Sequence, residues 1–193
     1  MVYYSYAPLL AAKCELLPHL ADYQGTASPK NAESRLAALS LLQKLCAHAG
    51  LTVDLPILKT EHGRPYFDAE GAPDFNLSHS GALAACALGA RVGIDLQAEL
   101  DTIDTQKLAA RYFSEREQTL LKDAPRKLFF ELWTKKEALG KYLGCGLTPL
   151  LGKDLDHLAA QNGVAFVTKR TTFEGIAYTL TLCTAKQETI IKI

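Results

Sequence analysis

The sequence lacks most of the features that mark specialised protein classes. Its 193 residues contain five widely spaced cysteines and no Cys-x-x-Cys pair, which argues against a disulfide scaffold and a zinc knuckle. No run approaches the ~20 apolar residues of a membrane span, and the first residues lack the basic start of a secretion signal. No repeat recurs at a fixed period, which argues against a solenoid. These absences predict a soluble, cytoplasmic protein with reduced cysteines.

Charge of one sign is also lacking overall, although it is segregated along the chain. The 21 basic and 21 acidic residues give a formal net charge of zero, so neither nucleic acid nor a membrane is expected as a partner. Residues 61–104 hold two basic and eight acidic side chains, whereas residues 107–141 hold nine basic and five acidic ones. A solvated helical face is the simpler explanation of the basic segment. A docking surface for an acidic partner is the alternative, and it requires further support.

Strand and helix patterns occur in both halves of the chain. Ser28-Pro29 is a typical helix start, and the Ala/Leu-rich run after it predicts a long helix that ends at Gly50. The small apolar residues 83–88 predict a buried strand, which a hairpin at residues 89–93 joins to a second strand. The other predicted elements are strands over 2–7, 55–60, 65–67, 75–77, 164–169, 175–184 and 188–192, helices over 104–112 and 125–143, and a helix that opens at Ser114. This mixture predicts an α/β (α+β) fold with a division between residues 1–90 and 91–193.

Asp95 and Gln97 share one face of the strand predicted over residues 91–97, because side chains alternate along a strand. The alternate residues Val92, Ile94 and Leu96 are apolar and are predicted to point into a core. A carboxylate beside a second oxygen donor suits a hard cation such as Mg²⁺. For this strand considered alone, an aspartate exposed at a strand end is the simpler explanation.

The single tryptophan begins a row of side chains on the helix predicted over 125–143. Trp133, Glu137 and Lys141 are four residues apart, so they lie on one helix face. An ordinary Glu–Lys pair, contributing ~0.2–0.5 kcal/mol, explains the charged members. The same helix tolerates Gly140, which costs about 1 kcal/mol relative to alanine. A carboxylate with an ammonium one turn away also suits phosphate chemistry, with Glu binding metal or accepting a proton and Lys meeting a leaving phosphate.

Two short motifs precede these elements. Ser78-His79-Ser80 is predicted to be a loop after a short strand, where N–H groups, hydroxyls and an imidazolium can hold a phosphate. A structural histidine is the commoner case, and the lack of a G-x-S-x-G elbow argues against a serine hydrolase. Gly63-Arg64-Pro65 is predicted to be a turn with one cation pointing outward.

Taken together and in this order, four motifs resemble those of the 4′-phosphopantetheinyl transferase superfamily. The last of them fits the family signature W-x-x-K-E-A-x-x-K at every fixed position, and the similarity spans about residues 61–147. The length resembles that of the two-lobed, Sfp-like branch, which implies two similar pseudo-symmetric lobes, coenzyme A between them, and a monomer. The motifs are Gly63-Arg64-Pro65, Phe75-Asn76-Leu77-Ser78-His79-Ser80, Gly93-Ile94-Asp95-Leu96 and Trp133-Thr134-Lys135-Lys136-Glu137-Ala138-Leu139-Gly140-Lys141.

Members of this family move the phosphopantetheine arm of coenzyme A onto a serine of an acyl or peptidyl carrier protein and release 3′,5′-ADP. The resemblance implies that Asp95 and Glu137 bind Mg²⁺ on the CoA diphosphate, and that Glu137 accepts the serine proton. It implies that Lys141 neutralises the leaving phosphate. The other implied CoA contacts are Ser78 and His79 at the phosphates, Arg64 near the adenosine and Arg35 at the 3′-phosphate.

The chain departs from the family pattern at the metal site. The Sfp-like strand often reads D-x-E, whereas here the second position is Gln97, a weaker third ligand, so we expect altered metal affinity with retained activity. Glu117 matches a family acidic position, but a capping box with Ser114 explains it equally well. Two other functions stay open: a carrier-binding module with weakened catalysis, and another Mg²⁺-dependent enzyme acting on phosphate esters.

Overall fold

The computed structural model describes residues 1–25, 28, 31–51 and 55–193, and it confirms the predicted mixed α/β class. The strands are β1 (Val2–Pro8), β2 (Ile57–Lys59), β3 (Pro65–Phe67), β4 (Asp74–Ser80), β5 (Leu83–Gly89), β6 (Gly93–Ala98), β7 (Val164–Phe173), β8 (Ile176–Ala185) and β9 (Ile190–Lys192). The helices are α1 (Leu9–Ala12), α2 (Pro18–Gly25), α3 (Ala32–His48), α4 (Thr105–Tyr112), α5 (Glu115–Leu121), α6 (Arg126–Leu143) and α7 (Leu155–Asn162), with a short 3-10 turn at Thr148–Leu150.

The first sheet has the strand order β4-β5-β1-β9, and β5 is buried on both faces. Ala84, Cys86 and Leu88 pack with α3 in one hydrophobic core. The alternate residues Ala85 and Ala87 pack in a second core that lies between this sheet and the strands β6 and β8. Burial on both faces explains why β5 is small and apolar at every position instead of alternating with polar residues.

The second sheet, with the order β6-β8-β7, is covered by α6. The helix comes so close at Gly93 that a Cβ there would overlap the carbonyl of Ala138. The buried Oγ1 atoms of Thr134 on α6 and Thr181 on β8 share a hydrogen bond of 2.7 Å. These two contacts fix the rotation of α6 against the sheet, and therefore the direction in which Glu137 projects.

The turn at residues 89–93 joins two sheets, so the predicted hairpin is wrong. β5 pairs with β1 and β4, whereas β6 pairs with β8. The cause is the apolar face of β6: Ile94 and Leu96 pack into the core beneath β5, which places the two strands in different layers. Near its end the chain returns to the first sheet, where β9 runs parallel to β1. The division at residue 90 and the similarity of two lobes stay predictions.

Several element boundaries agree with the sequence. α6 ends at Leu143, and Gly144 adopts the left-handed conformation (φ 75°) that closes the helix. The capping box of Ser114 and Glu117 is present. α3 begins at Ala32, and the predicted start at Pro29 lies outside the described residues. The sequence interpretation missed α1, α2 and α7. Within the described ranges, no helix is long and apolar enough to cross a membrane.

Candidate active site

The two sheets are joined by a ladder of side chains from β4. Every second residue of β4 is polar and faces the free edge of β6, while the backbone of β4 pairs with β5 on the other side. Each of these side chains accepts one backbone N–H of β6, or of Val92 directly before it, at 2.9 to 3.0 Å. The pairs are Asp74 with Val92, Asn76 with Ile94, Ser78 with Leu96 and Ser80 with Ala98. The ladder fixes β6, and thereby Asp95, relative to the first sheet.

This ladder corrects the prediction for Ser78-His79-Ser80. The three residues belong to β4 and pair with Ala85, Ala84 and Leu83 of β5, so they do not form a phosphate-binding loop. β4 is the edge strand of its sheet, so alternate backbone N–H groups of this segment pair with β5. The D-x-N-x-S-x-S alternation from Asp74 to Ser80 was the available signal, since a period of two is typical of a strand with one polar face.

A cavity of about 280 Å³ lies where β4, β6 and α6 meet. Its walls bring together most of the predicted site residues, although they come from three elements that are distant in sequence. The lining residues are Leu77, Ser78, His79, Asp95, Leu96, Gln97, Trp133, Glu137 and Lys141. Asp95 and Glu137 therefore face one common space, as a shared cation would require.

Asp95 is buried at the cavity wall and carries two hydrogen-bond donors on the same oxygen. Lys141 Nζ lies 2.7 Å from Asp95 Oδ1, and the Ser78 hydroxyl lies 3.1 Å from that atom. Lys141 Nζ also donates to Ser78 Oγ and to the carbonyl of Ile94, each at 3.1 Å. The Asp95 carboxylate is thus compensated by an ammonium from α6.

Glu137 is the second carboxylate of the cavity and is half-buried. Burial raises the pKa of Glu137, the negative charge of Asp95 raises it further, and Lys141 opposes the rise. A carboxyl group whose pKa is raised by loss of water and by a like charge is suited both to accepting a proton and to binding a cation.

His79 and Gln97 complete the polar lining. His79 lines the cavity as an exposed residue, and partial loss of water together with the Lys141 charge lowers the pKa of His79, against the charge of Asp95. A neutral imidazole is therefore favoured. The Gln97 amide nitrogen donates to the carbonyl of Ala98 at 3.0 Å and lies 3.4 Å from Ser80 Oγ. The amide oxygen of Gln97 is the atom available as a third ligand.

Arg64 points inward, so the prediction of an outward cation is wrong. Its guanidinium forms an ion pair of 2.5 Å with Asp74 and donates to the carbonyls of Val92 and Lys141. The reason is the carbonyl of Val92, directly before β6, which has no strand partner. Arg64 thus joins β6 to the C-terminal end of α6, and its predicted contact near the adenosine of CoA stays a prediction.

Arg35 is not among the residues that line the cavity. It lies on α3, where its guanidinium covers the ring of Tyr23 at 5.0 Å, and Lys59 lies over the same ring at 5.4 Å. Two cations on one aromatic ring form a basic cluster that the sequence did not reveal, because the two residues are far apart along the chain. The role of Arg35 at the CoA 3′-phosphate stays a prediction.

A second Lys–carboxylate pair lies on the same helix beside the cavity. Lys136 Nζ lies 2.6 Å from Glu117 Oε2, and the two side chains are 1% and 2% exposed. Lys136 also donates to the carbonyls of Tyr112 and Lys153, and Glu117 accepts the backbone N–H of Leu155. This pair connects α4, α5, α6 and α7. It gives Glu117 a structural function beyond the capping box.

No group of three or more His, Cys, Asp or Glu side chains that could hold a metal occurs in the part of the chain that the structure describes. The cavity instead offers two carboxylates and one amide oxygen, all hard donors. This set suits Mg²⁺, which commonly takes one or two carboxylates and completes its shell with water and phosphate oxygens.

Comparison with known proteins identifies relatives for the second half of the chain. A sequence profile of the 4′-phosphopantetheinyl transferase superfamily matches residues 91–186. The 4′-phosphopantetheinyl transferase HetI of Nostoc sp. is 44% identical over 88 residues, which are 42% of this chain and 37% of the relative. A 4′-phosphopantetheinyl transferase of Bacillus subtilis is 37% identical over 94 residues, 46% of this chain and 41% of the relative. The transferase Sfp of Bacillus subtilis (strain 168) is 32% identical over 100 residues, 49% and 44% of the two chains.

The matched segments span less than half of each of these curated relatives. The profile match contains Asp95, Gln97, Glu137 and Lys141. The four residues that the resemblance assigns to CoA, which are Arg35, Arg64, Ser78 and His79, lie before the matched range.

Proposed function

The chain belongs to the 4′-phosphopantetheinyl transferase superfamily, and on that premise we propose that it transfers the phosphopantetheine arm of coenzyme A to a carrier-protein serine. One observation carries the proposal: Asp95 on β6 and Glu137 on α6 face a single cavity together with Lys141. Two carboxylates and an ammonium around one space are the groups that phosphoryl transfer requires, since it depends on positioning and charge neutralisation.

Asp95, Glu137 and the amide oxygen of Gln97 would hold Mg²⁺ in this cavity. The raised pKa of Glu137 supports this assignment, because the two carboxylates lie near enough for the charge of Asp95 to disfavour ionisation of Glu137. When bound, the ion would neutralise charge on the CoA diphosphate.

The residues of the chain then have separate tasks in the reaction. The carrier serine oxygen forms a bond to the phosphorus that bears the pantetheine, and the bond from that phosphorus to the bridging oxygen breaks. The serine proton goes to Glu137, directly or through a water molecule. The electron pair of the broken bond leaves with 3′,5′-ADP, whose growing charge Lys141 meets.

The basic segment over residues 107–141 supplies the proposed docking surface for an acidic carrier. Three of its nine basic side chains are ion-paired at under 3 Å, namely Lys136, Lys141 and Arg116. The remaining side chains still show a basic excess. They include Lys122 and Arg126, which line a groove of about 600 Å³ between α4, α5 and α6. Oppositely charged surfaces accelerate association and lose this effect in salt.

The direct test is to incubate the protein with an apo carrier protein, CoA and Mg²⁺ and to measure the mass of the carrier. We expect the gain of one phosphopantetheine arm and the release of 3′,5′-ADP, both lost in Asp95→Ala and Glu137→Ala. Carrier binding without a mass gain on acyl or peptidyl carriers would favour the binding module. Phosphate release from simple esters would favour a different Mg²⁺ enzyme.

A further inference from the structure

The ammonium of Lys141 is fully engaged in the structure. It donates to three oxygens at 2.7 to 3.1 Å, those of Asp95, Ser78 and the Ile94 backbone. A lysine ammonium has three N–H donors, so none is left for another ligand. The side chain is 27% exposed, and the partner carboxylate is 9% exposed.

This arrangement follows from the ladder between the sheets. The side chains of β4 accept the N–H groups along the free edge of β6 but give no donors to the carbonyls of that edge. Two cations fill this need: Arg64 donates to the carbonyl of Val92, and Lys141 donates to that of Ile94. The position of the Lys141 ammonium is therefore set by the fold as well as by the charge of Asp95.

The same position makes Lys141 a competitor of any cation that needs Asp95. The ammonium and a divalent ion both require the carboxylate, and they repel each other at short range. An anionic diphosphate would have the opposite effect, since it attracts the ammonium away from Asp95 and brings oxygen ligands for the metal.

We propose that Lys141 is an internal counter-ion, which holds the charge of Asp95 until a diphosphate enters and thereby makes binding of the divalent ion depend on CoA. This inference rests on the proposed function, because that function supplies the diphosphate. The inference goes beyond the proposed function in two predictions: the free protein binds the metal weakly, and metal and CoA each strengthen the binding of the other.

The test measures Mn²⁺ binding to the free full chain by calorimetry. Lys141→Met removes the charge and all donors, and Lys141→Gln removes the charge but keeps a donor for the carbonyl of Ile94. Both should bind Mn²⁺ about tenfold more tightly than the wild type, since a cation no longer occupies Asp95. Lys169→Met, a matched loss of an exposed lysine on β7, should bind Mn²⁺ like the wild type. Unchanged or weaker Mn²⁺ binding by both Lys141 variants overturns the proposal.

A measurement on the wild type keeps the test decisive if the variants fail to fold. Reductive methylation of Lys141, followed by mass spectrometry, should be slow in the metal-free protein and several-fold faster at saturating Mn²⁺, because the ion displaces the ammonium. An unchanged methylation rate at saturating Mn²⁺ refutes the counter-ion. Carrier modification by the wild type is assayed in parallel, so that an inactive protein overturns the proposed transferase separately from the metal competition.

Discussion

Two lysines of α6, five residues apart, each form an ion pair with a carboxylate. The N–O distances are nearly equal, but the surroundings differ: we call Lys136–Glu117 the closed pair and Lys141–Asp95 the open pair. Lys136 lies 2.6 Å from Glu117 in a site closed to water, whereas Lys141 lies 2.7 Å from Asp95 at the wall of a cavity. Burial lowers the pKa of Lys136 even though the charge of Glu117 opposes this. The closed pair therefore stabilises the packing of the helices, whereas the open pair lines the cavity in which we propose that a ligand rearranges the charges.

α6 is held on two opposite sides, and the closed pair provides the contacts on one of them. The closed pair fixes α6 to α4, α5 and α7 on one side, and the contacts of Gly93 and Thr134 fix it to the sheet on the other. Glu137 follows Lys136 directly in the sequence, so the anchor and the proposed base share one turn of helix. Such a rigid support would hold the proposed base in one position.

Breaking the closed pair from one side should have the largest effect on stability. Glu117→Ala leaves the Lys136 ammonium buried without its carboxylate, and we expect a loss of about 3–5 kcal/mol in the free energy of unfolding, measured by urea denaturation. Lys141→Ala, the matched change at the open pair, should lose far less, because Asp95 lines an open cavity and water can enter the space that the lysine leaves. Similar losses at both sites would contradict the distinction between the two pairs.

The double variant Glu117→Gln, Lys136→Met sharpens the same comparison. Removing both charges avoids leaving one charge unpaired, so the double variant should recover a large part of the stability that Glu117→Ala loses. An equal or greater loss would show that the pair itself, and not the avoidance of an unpaired charge, stabilises the helix junction.

The ladder that supports the open pair should come next in effect. Asn76→Ala leaves the buried N–H of Ile94 without an acceptor, and we expect a loss of about 1–3 kcal/mol in the free energy of unfolding. The loss should be accompanied by weaker Mn²⁺ binding, because Asp95 follows Ile94 in the strand. Ser5→Ala, which removes an exposed hydroxyl on β1 of the same sheet, is the control. Destabilisation with unchanged Mn²⁺ affinity would show that the ladder stabilises the fold but does not position Asp95 for the metal.

Much of the second half was predictable from sequence because its signals are local. The face shared by Trp133, Glu137 and Lys141 follows from helix geometry, and Asp95 follows from strand alternation. The sequence also contained two signals for α7 that the interpretation did not use. Asp154 is a typical N-cap residue, and Gly163 is a typical residue after a helix end, where the structure shows it in the left-handed conformation.

The first half depended on long-range contacts that a single sequence does not display. The role of Arg64 arises only when Val92 and the end of α6 come together in space. The same limit applied once in the second half, where the Lys136–Glu117 pair joins two separate helices. The ladder of β4 was an intermediate case. The alternation of polar residues was visible in the sequence. The N–H groups that these side chains accept belong to β6 of the other sheet, and the sequence does not show that β6 lies beside β4.

Glu137, which lines the cavity beside the open pair, makes the free energy of unfolding depend on pH. Its pKa in the folded protein is raised, so the folded state binds this proton more tightly than the unfolded state does, and its contribution to stability is lost as the pH rises through the raised value. Glu137→Gln removes that loss. In EDTA, urea denaturation at a series of pH values should show the variant gaining stability relative to the wild type as the pH rises above about 4, where the unfolded-state carboxyl begins to ionise. A pH-independent difference would mean that Glu137 titrates normally.

The smallest expected effect concerns Gln97, the proposed third oxygen ligand in the cavity that holds the open pair. Gln97→Glu adds a carboxylate to the face of β6 that bears Asp95, and a charged oxygen binds Mg²⁺ more strongly than a neutral amide does. We expect the Mg²⁺ concentration for half-maximal carrier modification to fall several-fold, with little change in the rate at saturating Mg²⁺. Glu99→Gln, a charge change two residues further along and directly after β6, should leave the Mg²⁺ requirement unchanged, because Glu99 is held by Arg170 and Thr179. If Gln97→Glu also leaves it unchanged, the side chain at this position does not reach the metal, and Asp95 and Glu137 bind it without a third protein ligand.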